Sequence, residues 1–86
     1  MTIQDFLGDV FTEHKRATEK YPRPNPNLAA LTEEVGELAK ALLHFAEGKE
    51  IDWDAVRVEA VQVATMAARC ALEGDPTVGA TNPMVD

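Results

Sequence analysis

Features that define several classes of small protein are scarce in this 86-residue chain. Its single cysteine, Cys70, excludes an intrachain disulfide and a zinc site built from a cysteine cluster. No run approaches the roughly 20 apolar residues that a membrane-spanning helix needs. Asp5 and Asp9 interrupt the stretch in which a secretory signal peptide would be uniformly apolar. The chain is therefore expected to be one cytoplasmic domain with no membrane partner.

Basic residues are also scarce, because 8 lysines and arginines stand against 15 aspartates and glutamates, a formal net charge of −7. The acidic excess lies entirely after residue 27. A surface of this kind repels long nucleic acids and anionic lipids, so neither is expected as a partner. Acid-rich helices suit divalent cations instead, and a bound cation can recruit a phosphate-bearing substrate.

The first of three predicted helices runs from Thr2 to about Lys20. Thr2 can cap this helix, and Asp5 stands three positions later in a capping-box arrangement. The prolines at positions 22, 24 and 26 then end it, because proline lacks the backbone donor that a helix interior requires.

The second helix is predicted from about Pro26 to Glu47, with Asn25 and Pro26 as its cap and first-turn residue. Gly48 is a natural stop after it. Apolar residues along this helix alternate steps of three and four, which is the heptad rhythm of a bundle seam: Leu28, Leu31, Val35, Leu38, Leu42 and Phe45.

The third helix is predicted to begin with Asp52 as its cap and to end at about Glu73, before Gly74. One face is apolar (Trp53, Val56, Ala60, Val63, Ala67, Ala71), and so is the far side (Val58, Val61, Ala68, Leu72). Two other helices of so short a chain can hardly cover both sides, so a second copy is expected to contribute. A homodimer or a homotetramer would satisfy this requirement.

The expected fold is therefore all-α, with three main helices per chain forming an oligomeric bundle of the four-helix type. No stretch alternates apolar and polar residues, so no strand is predicted. Residues 1–74 form the expected helical domain. The tail, residues 75–86, is expected to be extended or disordered, because disorder concentrates at chain ends.

Carboxylates recur at a spacing of three on the second and third predicted helices. Glu34 and Glu37 lie one turn apart at the edge of the leucine seam, and Glu59 precedes Gln62 by three at the border of an apolar face. If the helices pack together, three carboxylates and an amide oxygen converge, a donor set that suits Mg²⁺ or Mn²⁺. Such spacings are also common on solvated helix surfaces, so the pattern alone leaves both interpretations open.

The segment LTEEVGELAKALL, followed by VRVEAVQVATMAARCALEGD, resembles the MazG-like all-α nucleoside triphosphate pyrophosphohydrolases. That superfamily includes the dimeric dUTPases and the dCTP pyrophosphatases. Its signature is Glu-x-x-Glu on one helix and Glu-x-x-Asp on the next, and the likeness covers about residues 28–74. The resemblance implies a housecleaning hydrolase that converts a nucleoside triphosphate to the monophosphate and pyrophosphate with Mg²⁺.

The resemblance also implies roles for individual residues. The metal ligands would be Glu34, Glu37, Glu59 and Gln62, and Glu33 or Glu37 would orient or deprotonate the attacking water. Lys40 and Arg69 would bind phosphate oxygens, with a surface salt bridge as the alternative role for each.

The chain departs from the signature at Gln62, where the family has aspartate. An amide removes one negative charge from the site and cannot act as a base. An active variant, a weak enzyme and a non-catalytic helical module that binds nucleotide or protein all remain open. Glu33 and Glu73 are candidates to compensate. A di-iron carboxylate bundle is disfavoured, because neither histidine lies three residues after a glutamate.

Overall fold

The computed structural model describes residues 1–84 and is mainly helical. Helix α1 spans Ile3–Lys20, α2 spans Asn27–Ala46 and α3 spans Asp54–Glu73. A small antiparallel hairpin follows, in which β1 (Gly74–Asp75) pairs with β2 (Ala80–Thr81) around one turn of 3₁₀ helix. Helix α3 packs against both α1 and α2 and so forms the centre of the chain. The prediction of a mainly helical fold with three main helices is confirmed.

The start of α1 follows the predicted capping box. The hydroxyl of Thr2 accepts a hydrogen bond from the backbone N–H of Asp5 at 3.1 Å. The Asp5 carboxylate in turn accepts one from the N–H of Thr2 at 3.0 Å. This local pairing satisfies two donors that the first turn of a helix leaves free.

The start of α2 differs from the prediction. Asn25 does not cap the helix, because its side chain donates to Asn27 instead, and Pro26 occupies the cap position without a side-chain bond. The free N–H of Leu28 donates to the Asp75 carboxylate at 2.8 Å. The capping group therefore comes from the hairpin, 47 residues further along the chain, at a distance that local sequence rules do not reach.

The segment after α3 also differs from the prediction. Gly74 ends the helix as expected, with a positive φ of 69°, but the chain then pairs with itself instead of remaining extended or disordered. A side chain at Gly74 would collide with the carbonyl of Ala80, so the hairpin requires glycine there. The strands were missed because two residues are too few to show alternation. The last two residues of the predicted tail lie outside the described residues.

The apolar core within one chain is small. Among the described residues, the buried hydrophobic side chains are Ala17, Val56, Val61 and Met66. Only half of the predicted α2 seam is covered in the single chain: Leu31, Leu38 and Phe45 are partly buried, whereas Leu28, Val35 and Leu42 are each nearly half exposed. One chain therefore leaves apolar surface uncovered on the helices that were expected to be covered by a second copy.

Buried polar side chains form a hydrogen-bonded network at the end of the molecule where the three helices meet the hairpin. Arg69 is only 1% exposed and donates to Glu73 at 2.8 Å and to the carbonyl of Tyr21 at 2.7 Å. Asn27 donates to the carbonyl of Gly74 at 2.8 Å. Burial alone would raise the pKa of Glu73, but the hydrogen bonds from Arg69 and Asn27 hold that pKa below its ordinary value.

Candidate functional site

A cleft of about 580 Å³ opens along α3 where α1 and α2 flank it. Its walls combine the carboxylates predicted from α2 and α3 with one from α1 that was not predicted. We call this space the acidic cleft, and its acidic and amide residues are Glu13, Glu33, Glu34, Glu37, Glu59 and Gln62. The structure thus brings together the residues of the two helical motifs.

Glu34 and Glu59 are the pair that best defines the site, because they come from different helices and meet within it. The pKa of Glu34 is raised, first by partial burial and then by the charge of Glu59 and a hydrogen bond between the two carboxyl groups. Glu33 and Glu37 add smaller like-charge contributions. Repulsion of this kind between carboxylates is relieved when a proton or a cation binds to one of them.

Gln62 lies in the same cleft but is partly committed to a protein contact. Its amide nitrogen donates to the Glu13 carboxylate at 2.9 Å. Glu13 also accepts two hydrogen bonds from Arg16, at 2.7 and 2.6 Å, and the Arg16 contact lowers the pKa of Glu13. The side-chain oxygen of Gln62 has no hydrogen bond among the described residues, so it is the atom that could act as a ligand.

Lys40 lines a second cavity, of about 430 Å³, beside the acidic cleft. The two spaces share Glu37, Val58 and Glu59 as a common wall. Lys40 forms no ion pair among residues 1–84, so its ammonium group is available to an anion that reaches across this wall. The prediction that it binds phosphate stays a prediction.

Arg69 and Glu73 are placed differently from what the sequence suggested. Arg69 contributes to the floor of the acidic cleft, but its guanidinium group is buried and paired with Glu73. It is not the surface salt bridge that was the alternative for this residue. Glu73 is 5% exposed at its side chain and hydrogen-bonded to Arg69, so it is not free to compensate for Gln62.

Sequence reasoning missed several residues that line the acidic cleft, among them Glu13 and Tyr21. In the sequence, Glu13 looks like an ordinary surface residue that pairs with Arg16 three positions later. Its contact with Gln62 arises only because α1 packs against α3. Tyr21 lies in the proline-rich break after α1, lines the cleft and is half exposed, and the Lys20 ammonium group lies 5.4 Å from the centre of its ring. Neither position carried a motif that could have found it.

The donor set of the acidic cleft is made of carboxylate and amide oxygens, which are the ligands that Mg²⁺ and Mn²⁺ prefer. Among residues 1–84, no three or more histidine, cysteine, aspartate or glutamate side chains are already arranged as a metal site. In the same part of the chain, no helix has the length and apolar character required to cross a membrane.

Comparison of the chain with protein-family models, with curated proteins and with solved structures gave no match.

Proposed function

We propose that this chain is a Mg²⁺-dependent nucleoside triphosphate pyrophosphohydrolase of the housecleaning type. It would act in the cytoplasm as a homodimer or homotetramer and convert an NTP or dNTP to the monophosphate and pyrophosphate. One observation carries the proposal: Glu34 and Glu59 approach from two helices inside a cleft that also holds Glu33, Glu37 and Gln62. The MazG-like motif resemblance supplies the reaction type.

The residues of the cleft fit a divalent cation by their chemistry, because carboxylate and amide oxygens line it, and neighbouring carboxylates contribute to the raised pKa of Glu34. A cation bound between neighbouring carboxylates reduces the repulsion between their negative charges. Glu34, Glu37, Glu59 and the side-chain oxygen of Gln62 would hold Mg²⁺ or Mn²⁺. Such an ion, when bound, supplies charge neutralisation for a triphosphate and a lower pKa for a coordinated water.

The remaining chemistry belongs to side chains of this chain. Glu33 or Glu37 would accept the proton of a water as its oxygen attacks the α-phosphorus of the substrate. The bond from that phosphorus to the bridging oxygen breaks, and pyrophosphate leaves with the bonding electron pair. Lys40, across the shared wall of the two cavities, would bind the phosphate oxygens. Tyr21 offers a ring on which a base could stack.

Arg69 would act on this site from below rather than by direct contact with phosphate. Its guanidinium group is committed to Glu73 and to the Tyr21 carbonyl, so it positions the loop that carries the Tyr21 ring. Arg69 is therefore no longer proposed to bind phosphate; its proposed role is to hold the residues beneath the cleft in place.

The test is pyrophosphate release from a panel of canonical and modified NTPs and dNTPs with Mg²⁺ or Mn²⁺. Glu37→Gln should lower the rate by at least about 100-fold, the usual cost of losing a proton acceptor. Glu19→Gln, which makes the same charge change at an exposed position of α1, should leave the rate unchanged. Metal-independent release, or equal rates in the two variants, would contradict the proposal.

A second candidate function is a non-catalytic helical module that binds a nucleotide or another protein. The contact between Gln62 and Glu13 favours it, because the amide that replaces the family's aspartate is already used in packing α1 on α3. Titration calorimetry separates the two candidates. Nucleotide binding without pyrophosphate release from any member of the panel would support the module.

A further inference from the structure

The two ends of the acidic cleft differ in chemistry. Glu34 meets Glu59 at one end, whereas Asn27 contacts Glu73 beyond the other, so α2 and α3 run antiparallel along the cleft. The carboxylates gather at the first end. The wall at the second end includes five uncharged residues: Ala17, Tyr21, Asn25, Ala30 and Met66.

The cleft is long enough for a ligand to place different groups at its two ends. Ala30 precedes Glu37 by seven residues, which corresponds to about 10 Å along a helix. The volume of about 580 Å³ lies within the range of small-molecule sites. The carboxylate end suits a cation and the phosphates bound to it, and the uncharged end suits a nucleobase.

A relay of hydrogen bonds from the hairpin holds the Asn25 amide in one orientation. The carbonyl of Gly74 can only accept, so Asn27 directs its Nδ2 to that carbonyl, at 2.8 Å. The Oδ1 of Asn27 then accepts from the Nδ2 of Asn25, also at 2.8 Å. Asn27 is 1% exposed, and reversal of its amide would break both hydrogen bonds.

The relay leaves the side-chain oxygen of Asn25 free on the cleft side. Asn25 lines the acidic cleft, whereas Asn27 lines a smaller pocket of about 230 Å³ and not the cleft. Because the Asn25 nitrogen is directed to Asn27, the oxygen on the other branch of the amide is directed away from it. This oxygen accepts no hydrogen bond among residues 1–84 and is available to a donor.

The charged groups nearest to this end of the cleft also favour a donor on the ligand. Glu13 and Glu33 are carboxylates that line the cleft. Arg16 directs its Nε and Nη2 to Glu13, and the guanidinium group of Arg69 is buried in its pair with Glu73. A ligand group that can only accept would therefore face lone pairs and negative charge.

We infer that this end of the cleft selects a nucleobase with an exocyclic amino group, and that Asn25 is the residue that recognises it. This inference rests on the proposed function. Adenine and cytosine carry an amino group where hypoxanthine and uracil carry a carbonyl oxygen. The amino group donates to the Asn25 oxygen, whereas the carbonyl oxygen presents a lone pair to it. Nucleotides that have lost this amino group by deamination are therefore weaker ligands.

The test is titration calorimetry of the full chain with Mg²⁺ and analogues in which a methylene group replaces the oxygen between the α- and β-phosphorus. The analogues of ATP and ITP form one pair, and those of CTP and UTP form the other. The wild type should bind the amino member of each pair about tenfold more tightly or better. Asn25→Ala should abolish this preference, and Asn25→Asp, which keeps an acceptor oxygen, should retain it. Gln4→Ala removes an exposed amide outside the cleft and should change neither affinity.

Inorganic tripolyphosphate, which has no base, separates this inference from the proposed function. It should bind the wild type and Asn25→Ala equally. Equal affinities within each pair in the wild type, or a preference that survives in Asn25→Ala, would overturn the inference alone. A purely structural role of Asn25 would weaken all four analogues alike and keep their ratios, which would also overturn it. A chain that binds neither tripolyphosphate nor any analogue would overturn the proposed function and this inference together.

Discussion

Replacing Glu34 by glutamine should stabilise the metal-free protein at neutral pH. Glu34 meets Glu59 in the acidic cleft, and burial together with this like charge raises the pKa of Glu34 above its ordinary value of 4.5. The folded chain therefore destabilises the charged form of Glu34. Glutamine keeps the shape of the side chain and can donate a hydrogen bond to Glu59 while removing the repulsion.

The expected gain in the free energy of unfolding can be derived from the repulsion between two carboxylates. At a separation of about 4 Å, two unit charges interact by about 1 kcal/mol in water and by about 4 kcal/mol near a protein surface. Glu34 is only partly buried, so solvent screening places the effect near the lower value. About 1 kcal/mol corresponds to a rise of about 4–8 °C in the melting temperature of a domain of this size.

The pH dependence of the gain is set by the direction of the pKa shift. Because the folded state binds the Glu34 proton more tightly than the unfolded state, wild-type stability falls as pH rises from about the ordinary value through the raised pKa. The cost of the charged form is complete only above the raised pKa of Glu34, and it vanishes below the ordinary value. The advantage of Glu34→Gln should therefore be large at neutral pH and disappear near pH 4.

Thermal unfolding followed by circular dichroism, at fixed protein concentration and with a chelator present, measures this effect. Glu19→Gln is the control, since it relieves the overall negative charge by the same amount outside the cleft. Addition of Mg²⁺ should narrow the difference, because a cation relieves the same repulsion in the wild type. A Glu34→Gln variant that melts below the wild type at neutral pH, or that gains no more than Glu19→Gln, would refute the reasoning.

Two further predictions concern the network at the hairpin end of the fold. Arg69→Met should lower the free energy of unfolding in urea by about 3–5 kcal/mol, because it leaves Glu73 buried without its partner; a loss below about 1 kcal/mol would contradict a structural role for the pair. Asp75→Ala should lower the melting temperature, because it removes the acceptor of the Leu28 and Thr77 backbone N–H groups. The hydrogen bonds from Thr77 and Leu28 lower the pKa of Asp75, so the stability that it contributes should be lost as pH falls below its ordinary value of 3.8. An Asp75→Ala variant with the same melting curve and pH dependence as the wild type would show that the remote cap has no effect.

Local signals in the sequence were sufficient where an interaction spans only a few residues. The capping box of Thr2 and Asp5 and the stop at Gly74 depend on neighbouring residues alone, and both are present in the structure. The spacing of Glu34 and of Glu59 relative to the apolar residues of their helices also placed both on flanks that could meet. The acidic cleft was predictable to that extent, because helical periodicity fixes which residues share a face.

Long-range packing decided the rest. The cap of α2 comes from Asp75, and the partner of Gln62 is Glu13, because α3 brings together segments that are more than 45 residues apart. The same packing buried Arg69 against Glu73, although the sequence suggested a phosphate contact or a surface salt bridge for Arg69 and a compensating carboxylate in the site for Glu73. By itself, the sequence determined three helices and the faces that carry their carboxylates, since these follow from local propensity and periodicity. Only the tertiary structure decided which faces meet, which charges are paired in the interior and which apolar side chains stay exposed, since each depends on contacts that no local pattern encodes.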